Sequence, residues 1–302
     1  MVQVSVIIIN YNTFQLTSEA IASIQQHTKG VSYEIILVDN ASTECSPALF
    51  TERFGNSIKL VQNPDNSGFA KGNNLGIQHA SGETILLFNS DAACLNDALT
   101  LTYEALAADP KLGIATARLE FPTGQLQYQC GRFPSARLQL VELLRLQKLL
   151  GPARAGRLLQ GGFFHHLSDS EPDWVWGTYF HFRRQILTEL PGQRLPDEFF
   201  MYAEDLEWSY AIRKLGYSIR YVASAHILHH FSQSTRREKQ LNQQRMILQN
   251  EDVFLRREYG AVRTKAYYLT RWLGLRLLRN PDSSQVELAR QYKRLLQNKG
   301  LL

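Results

Sequence analysis

Two groups of residues in this 302-residue chain have the types and spacing for chemistry. The first is Asn89-Ser90-Asp91, which closes the apolar run Ile85-Leu86-Leu87-Phe88. Two oxygen-bearing side chains two positions apart, with a small residue between, can reach a hard divalent cation that also holds phosphate oxygens. The second is Glu204-Asp205, inside a stretch from Phe199 to Gly216, where an acidic pair opens a helix. A helix start favours ionised carboxylates by roughly 0.3–1 kcal/mol. Plainer readings exist for both: Asp91 could form an Asx turn and cap a helix near Asn96, and Glu204-Asp205 could simply answer the helix dipole. His226, His229 and His230 form a dense histidine group, although a single histidine is more often a packing residue than a ligand.

These groups need elements to position them. The run into Asn89 is entered from Ser81-Gly82 and reads as a strand buried on both faces, typical of a parallel sheet. Val4 to Ile9, Tyr33 to Val38 and Ser57 to Val61 repeat the pattern, each ending in a polar cluster: Asn10-Tyr11-Asn12-Thr13, Asp39-Asn40-Ala41-Ser42 and Asn63 to Gly68. Helical spacing follows, with Leu16, Ala20, Ile21 and Ile24 after the first strand. Further strands are expected at Leu112 to Arg118, Trp174 to Phe182 and Ser218 to Val222. Strands alternating with helices predict an α/β fold, a doubly wound, mostly parallel sheet flanked by helices. In such sheets ligands gather at the carboxyl ends of strands, where the polar clusters lie.

The stretch Asn66 to Gly76 has glycines at 68, 72 and 76. Their spacing of four fits neither GxGxxG nor GxxxxGK, so neither a dinucleotide fingerprint nor a phosphate loop is supported. Glycines four apart form a smooth helix face, and tight packing on the sheet would explain them without explaining Lys71 and the asparagines. Ala136 to Gln160 reads as a Leu- and Arg-rich helical insertion, broken at Gly151-Pro152, that covers the domain around it.

Composition sets the outer bounds. Hydrophobic residues make up 44% and charged residues 20% of the chain, with no apolar run near the roughly 18 residues of a membrane span. A cytoplasmic protein is expected. Cys45, Cys94 and Cys130 lack CxxC spacing, which argues against a thiolate metal site or a disulfide framework. The net charge of +5 conceals an asymmetry: residues 236–302 hold 15 Lys and Arg against 6 Asp and Glu, and residues 1–235 hold 18 against 22. An anionic partner is expected for the tail, membrane or nucleic acid.

Taken in order, Ser5 to Asn12, Val38 to Ser42, Asn66 to Gly76, Asn89-Ser90-Asp91, Trp176-Gly177-Thr178, Phe199 to Gly216 and His229 to Ser234 resemble the motifs of the family 2 glycosyltransferases of GT-A fold, notably a bacterial rhamnosyltransferase-like branch. The resemblance covers about residues 3–236 and implies a GT-A domain over 1–235, with the helical insertion at about 136–160, and a basic helical C-terminal extension over 236–302. It further implies that Tyr11, Asn12 and Asp39 hold base and ribose, with Asn66, Lys71 and Asn73 completing the nucleotide pocket. Asn89-Ser90-Asp91 stands at the family's Asp-x-Asp position, with an amide replacing the first carboxylate. Asp91 and His229 would then meet a divalent metal, Mg²⁺ or Mn²⁺, with His230 as the alternative histidine. Asp205, of the Glu204-Asp205 pair, matches the catalytic base. Gly177-Thr178 replaces a Gly-Ala pair and would narrow the acceptor side.

The expected activity is inverting transfer from a nucleotide-diphosphate sugar to a glycan or lipid-linked glycan. The metal would offset the leaving diphosphate, and one carboxylate would deprotonate the acceptor. A binding module that kept the fold but lost turnover is the alternative, suggested by Asn89 and Thr178. A nucleotidyltransferase is disfavoured because no basic Gly-rich loop follows the first strand. In the tail, Val262, Ala266, Leu269, Leu273 and Leu277 form one apolar stripe that could dock onto the domain. Tyr267, Tyr268, Trp272, Leu275 and Leu278 lie off it among Arg263, Lys265, Arg271, Arg276 and Arg279. That mixture predicts peripheral attachment at the inner face of a membrane, with no nucleic acid expected.

Overall fold

Val4–Asn10, Val-Ser-Val-Ile-Ile-Ile-Asn, is rich in β-branched side chains that stiffen an extended backbone, and it forms the central strand β1. Its hydrophobic side chains on both faces are removed from water except for a partly covered Ile9, as a strand between two helix layers requires. The computed structural model describes residues 2–230 and 237–298. Two compact units divide the chain, Met1–Gly131 with His165–Gln233, and Arg132–Phe164 with Ser234–Leu302. The leucine-rich insertion expected within the first domain therefore groups with the C-terminal helices.

In the first unit β1 is followed by α1 (Phe14–His27), β2 (Tyr33–Asp39), α2 (Ala48–Phe54), β3 (Lys59–Gln62), α3 (Gly68–Ile77), β4 (Thr84–Asn89), β5 (Ala92–Cys94), α4 (Ala98–Ala108), β6 (Leu112–Glu120), β7 (Leu126–Gln127) and β8 (Cys130–Gly131). β3, β2, β1 and β4 pair in parallel, as the repeating strand-helix pattern predicts. After the second unit's α5 (Ala136–Leu143) and α6 (Pro152–Leu159), the chain returns with β9 (Trp174–Val175), β10 (Tyr179–Arg183), α7 (Glu204–Lys214) and β11 (Ser218–His229). β10 runs antiparallel between β4 and β6, and the large sheet has the order β3-β2-β1-β4-β10-β6-β11-β5.

Three local expectations change. The run from Trp174 to Phe182 is two strands, parted at Trp176-Gly177-Thr178, because Trp176 bonds Gln129 while Tyr179 joins β4. Asp91 leads into β5 and caps no helix; the cap of α4 is Asp97, whose side chain accepts from the Thr100 amide. β11 runs on past Val222 to His229, paired with β6 and, at its end, β5.

Gly76 is required by packing, since a Cβ there would lie 2.5 Å from Cγ2 of Ile7. The smooth-face reading of α3 holds at this position, and α3 lies close on β1.

Beneath β4 and β10 a polar network is sealed in the core. The His181 ring is fully buried, with Nδ1 2.8 Å from the Thr102 hydroxyl and Nε2 2.8 Å from the Thr84 hydroxyl. Hydroxyls satisfy a neutral ring, and burial depresses the imidazole pKa from its ordinary 6.5 to about 3. Because the folded value is lowered, this contribution is complete above pH 6.5 and is lost as pH falls toward 3. Between pH 7 and pH 5 the loss from this group is about 2 kcal/mol. Urea unfolding of wild type and His181→Gln at both pH values measures it: the variant should lose about that much less on acidification. Equal losses would assign the acid sensitivity to other groups.

The second unit continues with α8 (Arg237–Arg276), interrupted at Gly260 where φ is +75°, and α9 (Ser283–Leu296). A capping box between Asp282 and Gln285 starts α9. Gly151 at φ +70° and Pro152 open α6, where the insertion is expected to break. The expected roles of the tail residues are reversed here. Tyr267 and Tyr268 are buried, with the Tyr268 ring 5.6 Å from that of Tyr292, and Arg271 donates to Tyr292 Oη and to Gln139 Oε1, each at 3.2 Å. Val262, Leu269 and Leu277 of the apolar stripe are exposed. Rings bury more area than leucine side chains and carry polar tips that Arg271 and Asp252 satisfy, so the aromatic side packs inward. Among the described residues no helix is long and apolar enough to cross a membrane.

Candidate active site

The register of the parallel strands brings Asn10, Asp39 and Asn89 to one end of the sheet, because Asn10 pairs with Asp39 and Ile9 with Asn89. The polar clusters there are bonded to one another. Asn10 Nδ2 donates to Asp39 Oδ1 at 2.7 Å and to Ser42 Oγ at 2.9 Å, and its Oδ1 accepts from Thr13 and Thr17. Asp39 is buried, and its Oδ2 accepts from the Ser42 amide at 3.1 Å. Asn12, at φ +54°, accepts from the amides of Thr43 and Glu44. The Thr13 and Ser90 hydroxyls lie 3.2 Å apart, joining the first strand end to the fourth. Tyr11 stands exposed beside them.

The asparagines around α3 divide into two sets. Asn66 is partly exposed and accepts from Asn40 Nδ2 at 2.9 Å, while Lys71 is exposed. Asn73 is buried and donates to the Phe69 carbonyl of its own helix at 2.9 Å, and Asn74 ties α3 to Leu195. The amide side chains at 73 and 74 thus have structural partners.

Asp91 meets His229 across the β5–β11 pairing, with Oδ1 3.3 Å from Nε2. The other ring nitrogen, Nδ1, lies 2.8 Å from Gln127 Oε1, and Gln127 Nε2 donates to the His229 carbonyl at 2.8 Å. That second bond turns Oε1, which can only accept, toward Nδ1, so Nδ1 carries the proton. Nε2 then presents its lone pair toward a carboxylate, an arrangement that a cation between them satisfies. A partner that fixes the tautomer of a ligating histidine is the usual outer support of a metal site. Among the described residues no group of three His, Cys, Asp or Glu side chains gathers to hold a metal. One carboxylate and one imidazole fit a hard cation whose other positions go to phosphate oxygens and water. His230 contributes its backbone, its amide donating to the Asp91 carbonyl at 2.9 Å. Of the His229 to Ser234 motif, residues 231–234 lie outside the described residues.

Glu204 and Asp205 form the first turn of α7. Asp205 Oδ2 accepts from the Gly177 amide at 3.2 Å and Oδ1 from the Leu206 amide at 2.8 Å. The Thr178 carbonyl accepts from the Asn89 amide at 3.1 Å, so two adjoining residues tie the base candidate to the end of β4. Burial pushes both carboxyls up, Asp205 against the pull of its amide donors and Glu204 further, through added repulsion from Asp205 and Glu207. The two carboxyls therefore titrate as a pair, raised above the ordinary carboxylate range, which suits one of them to take up a proton.

The loop before α7 is shaped for this. Tyr202 and Ala203 both have positive φ, +69° and +71°, conformations that cost side-chain-bearing residues energy. Its position is pinned where the Phe69 amide donates to the Phe200 carbonyl at 2.9 Å, beside Gly68. Sequence reasoning missed Asn10, which joins two loops, and Gln127, whose two-residue strand has no periodic pattern. The isolated Gln127 gives no signal until β7 places it against β11.

A sheet of parallel strands entered by an antiparallel β10, with carboxylates at the strand ends and in the first turn of α7, is the GT-A arrangement of the nucleotide-sugar glycosyltransferases. The model of Glycosyl transferase family 2 matches residues 5–206, and the chain belongs to this family. It is 25% identical over 220 residues to the N-acetylglucosaminyl-diphospho-decaprenol L-rhamnosyltransferase of Mycobacterium tuberculosis, covering 68% of each protein. In fold it is similar to the mannosyltransferase PcManGT from Pyrobaculum calidifontis in complex with GDP-Man and Mn²⁺, with a TM-score of 0.61 and 17% identity, over 99% of this chain and 76% of that one. TarS of S. aureus is also similar, with a TM-score of 0.52 and 16% identity over 98% of this chain and 88% of that one.

Proposed function

We propose that the chain is an inverting glycosyltransferase of hexosyl or rhamnosyl type, which moves one sugar from a nucleotide-diphosphate donor to a glycan or lipid-linked glycan. The observation that carries this reading is Asp205: a single desolvated carboxylate, aimed by the Gly177 amide, beside the strand end that bears Asn89 and Asp91. One such group suffices for single displacement. It accepts the proton of the acceptor hydroxyl as that oxygen attacks the anomeric carbon, and the diphosphate leaves from the opposite face.

The donor end is assigned to the network at the sheet's carboxyl edge. Exposed Tyr11 offers a face for the base, while Asn12 and Asn66 lie on loops and exposed Lys71 in the first turn of α3. Buried Asp39 acts through the loop it holds, and buried Asn73 through the first turn of α3 that it braces. Asp91 and His229 would hold the divalent cation, with Asn89 and Ser90 alongside. When bound, that ion supplies positive charge against the leaving diphosphate. The name of the mycobacterial relative supports a lipid-diphosphate-linked sugar as acceptor. A GT-A domain of residues 1–235 with a basic extension over 236–302 remains the proposed organisation, with 132–164 reassigned to the extension.

The reading is tested by screening nucleotide sugars with Mn²⁺ for slow donor hydrolysis in the absence of acceptor; a binding module would release no free sugar from any donor. Asp91→Asn removes the triplet's carboxylate, and calorimetry should show Mn²⁺-stimulated nucleotide binding abolished. Gln127→Leu, which frees the His229 ring to turn, should weaken Mn²⁺ affinity about 10–100-fold. Unchanged Mn²⁺ affinity in Asp91→Asn would remove that residue from the site.

A further inference from the structure

The second unit is far more basic than the chain as a whole. Residues 132–164 and 234–302 carry 21 Lys and Arg against 7 Asp and Glu, leaving 12 against 21 for the remainder. Its two pieces are joined where α5 meets α8: Arg271 bonds Gln139, and a Cβ on Gly274 would touch Leu143. Both pieces also present large apolar side chains to solvent. Leu149 is 82% and Leu144 63% exposed in the first, and Val262 83% and Leu277 70% in the second. Among the described residues Arg137, Arg145, Lys148, Arg263 and Arg276 have no carboxylate partner, and all five are exposed.

We propose that these two pieces form one docking surface for an anionic lipid bilayer, in which residues 137–158 are as necessary as the tail. The combination of features points to a bilayer. Charge alone would suit nucleic acid, but nucleic acid offers nothing for exposed aliphatic side chains, since its apolar contacts are chiefly stacked on aromatic rings. Here Tyr267, Tyr268 and Tyr292 are turned inward, while Val262, Leu269 and Leu277 are turned outward. A second copy docking through the same surface would suit the leucines but would oppose one basic surface to another. A bilayer with acidic headgroups accepts both, with leucine and valine entering the acyl boundary and guanidinium groups meeting lipid phosphates. The proposal extends the reading of a lipid-linked acceptor, yet its test does not involve transfer.

The test is flotation of the full chain with phosphatidylcholine vesicles, with and without phosphatidylglycerol, at low and high salt. Wild type should float only with the anionic vesicles, and less so in high salt. Leu144→Gln with Leu149→Gln, and separately Arg145→Glu with Lys148→Glu, should each lower binding about tenfold or more, as should Leu269→Gln with Leu277→Gln. All lie at exposed positions, so donor hydrolysis and unfolding midpoints should match wild type, which separates this proposal from the transferase reading. Equal flotation with neutral and anionic vesicles, or none with either, overturns it. So does full binding by both insertion variants, which would leave the tail acting alone. Competition by a single-stranded oligonucleotide at lower concentration than lipid would move the surface to nucleic acid. Loss of flotation on concentration-dependent dimerisation would move it to self-association.

Discussion

Asp205→Asn should lower transfer by a factor on the order of 10²–10⁴, the range for removing a positioned general base. The substitution keeps the shape and one acceptor oxygen for the amides of Gly177 and Leu206, and it deletes a charge that burial disfavours. Donor affinity by calorimetry should therefore be unchanged, and the unfolding midpoint at neutral pH should not fall by more than about 1 kcal/mol, the net value of one hydrogen bond. Glu204→Gln removes the carboxyl that no backbone amide outside its own helix turn aims, and should cost much less. The wild-type rate should rise with pH as Asp205 ionises, with a midpoint above the ordinary aspartate range, because its pKa is raised in the folded enzyme. Near-normal turnover in Asp205→Asn beside a dead Glu204→Gln would place the base one residue earlier.

The second large effect is expected at a position with no chemistry of its own. Gly68 has φ +83°, and a Cβ there would stand 2.3 Å from the Phe200 carbonyl oxygen. A left-handed conformation alone costs an alanine roughly 1–2 kcal/mol. The contact with Phe200 cannot be relieved by a side-chain rotation, since backbone is met, so the loop carrying Tyr202 and Ala203 must move. Gly68→Ala should then lose about 3 kcal/mol or more in urea unfolding, together with most of its turnover. Gly124→Ala is the control, with φ +79° and nothing within 4 Å of its Cβ: it should lose only the backbone contribution and keep its rate. Full activity in Gly68→Ala would show that the loop is held elsewhere.

The alternation of apolar strands and polar strand ends made the parallel half of the sheet legible, because a strand buried on both faces leaves a continuous run such as Ile85 to Phe88. Asp205 and Asp91 were legible because they end or begin such elements. The antiparallel half was harder to read. β5, β7, β8 and β9 have two or three residues each, too few to show a period, and their existence depends on partners far along the chain. Gln127 escaped for this reason. Asn73 looked like a ligand by composition, since side-chain type cannot say which face of α3 an amide will occupy. In the tail, hydrophobic spacing identified a stripe correctly but not its direction. Tyr267 and Tyr268, with Asp252 accepting from the Tyr268 hydroxyl and Arg271 donating to that of Tyr292 nearby, turned inward in place of Val262, Leu269 and Leu277.

The order in which the second unit is completed has its own consequence. Residues 132–164 leave the ribosome well before the helix that α5 packs on, which ends at Arg276. At about 5–20 residues per second, translation leaves that leucine-rich segment without its helix partner for several to about twenty seconds. The sheet cannot shelter it by closing early, because β10 and β11, which flank β6, are themselves encoded after the insertion. A nascent chain of this protein thus spends that interval with a leucine-rich segment that lacks its helix partner. In that interval a chaperone has first access to the leucines.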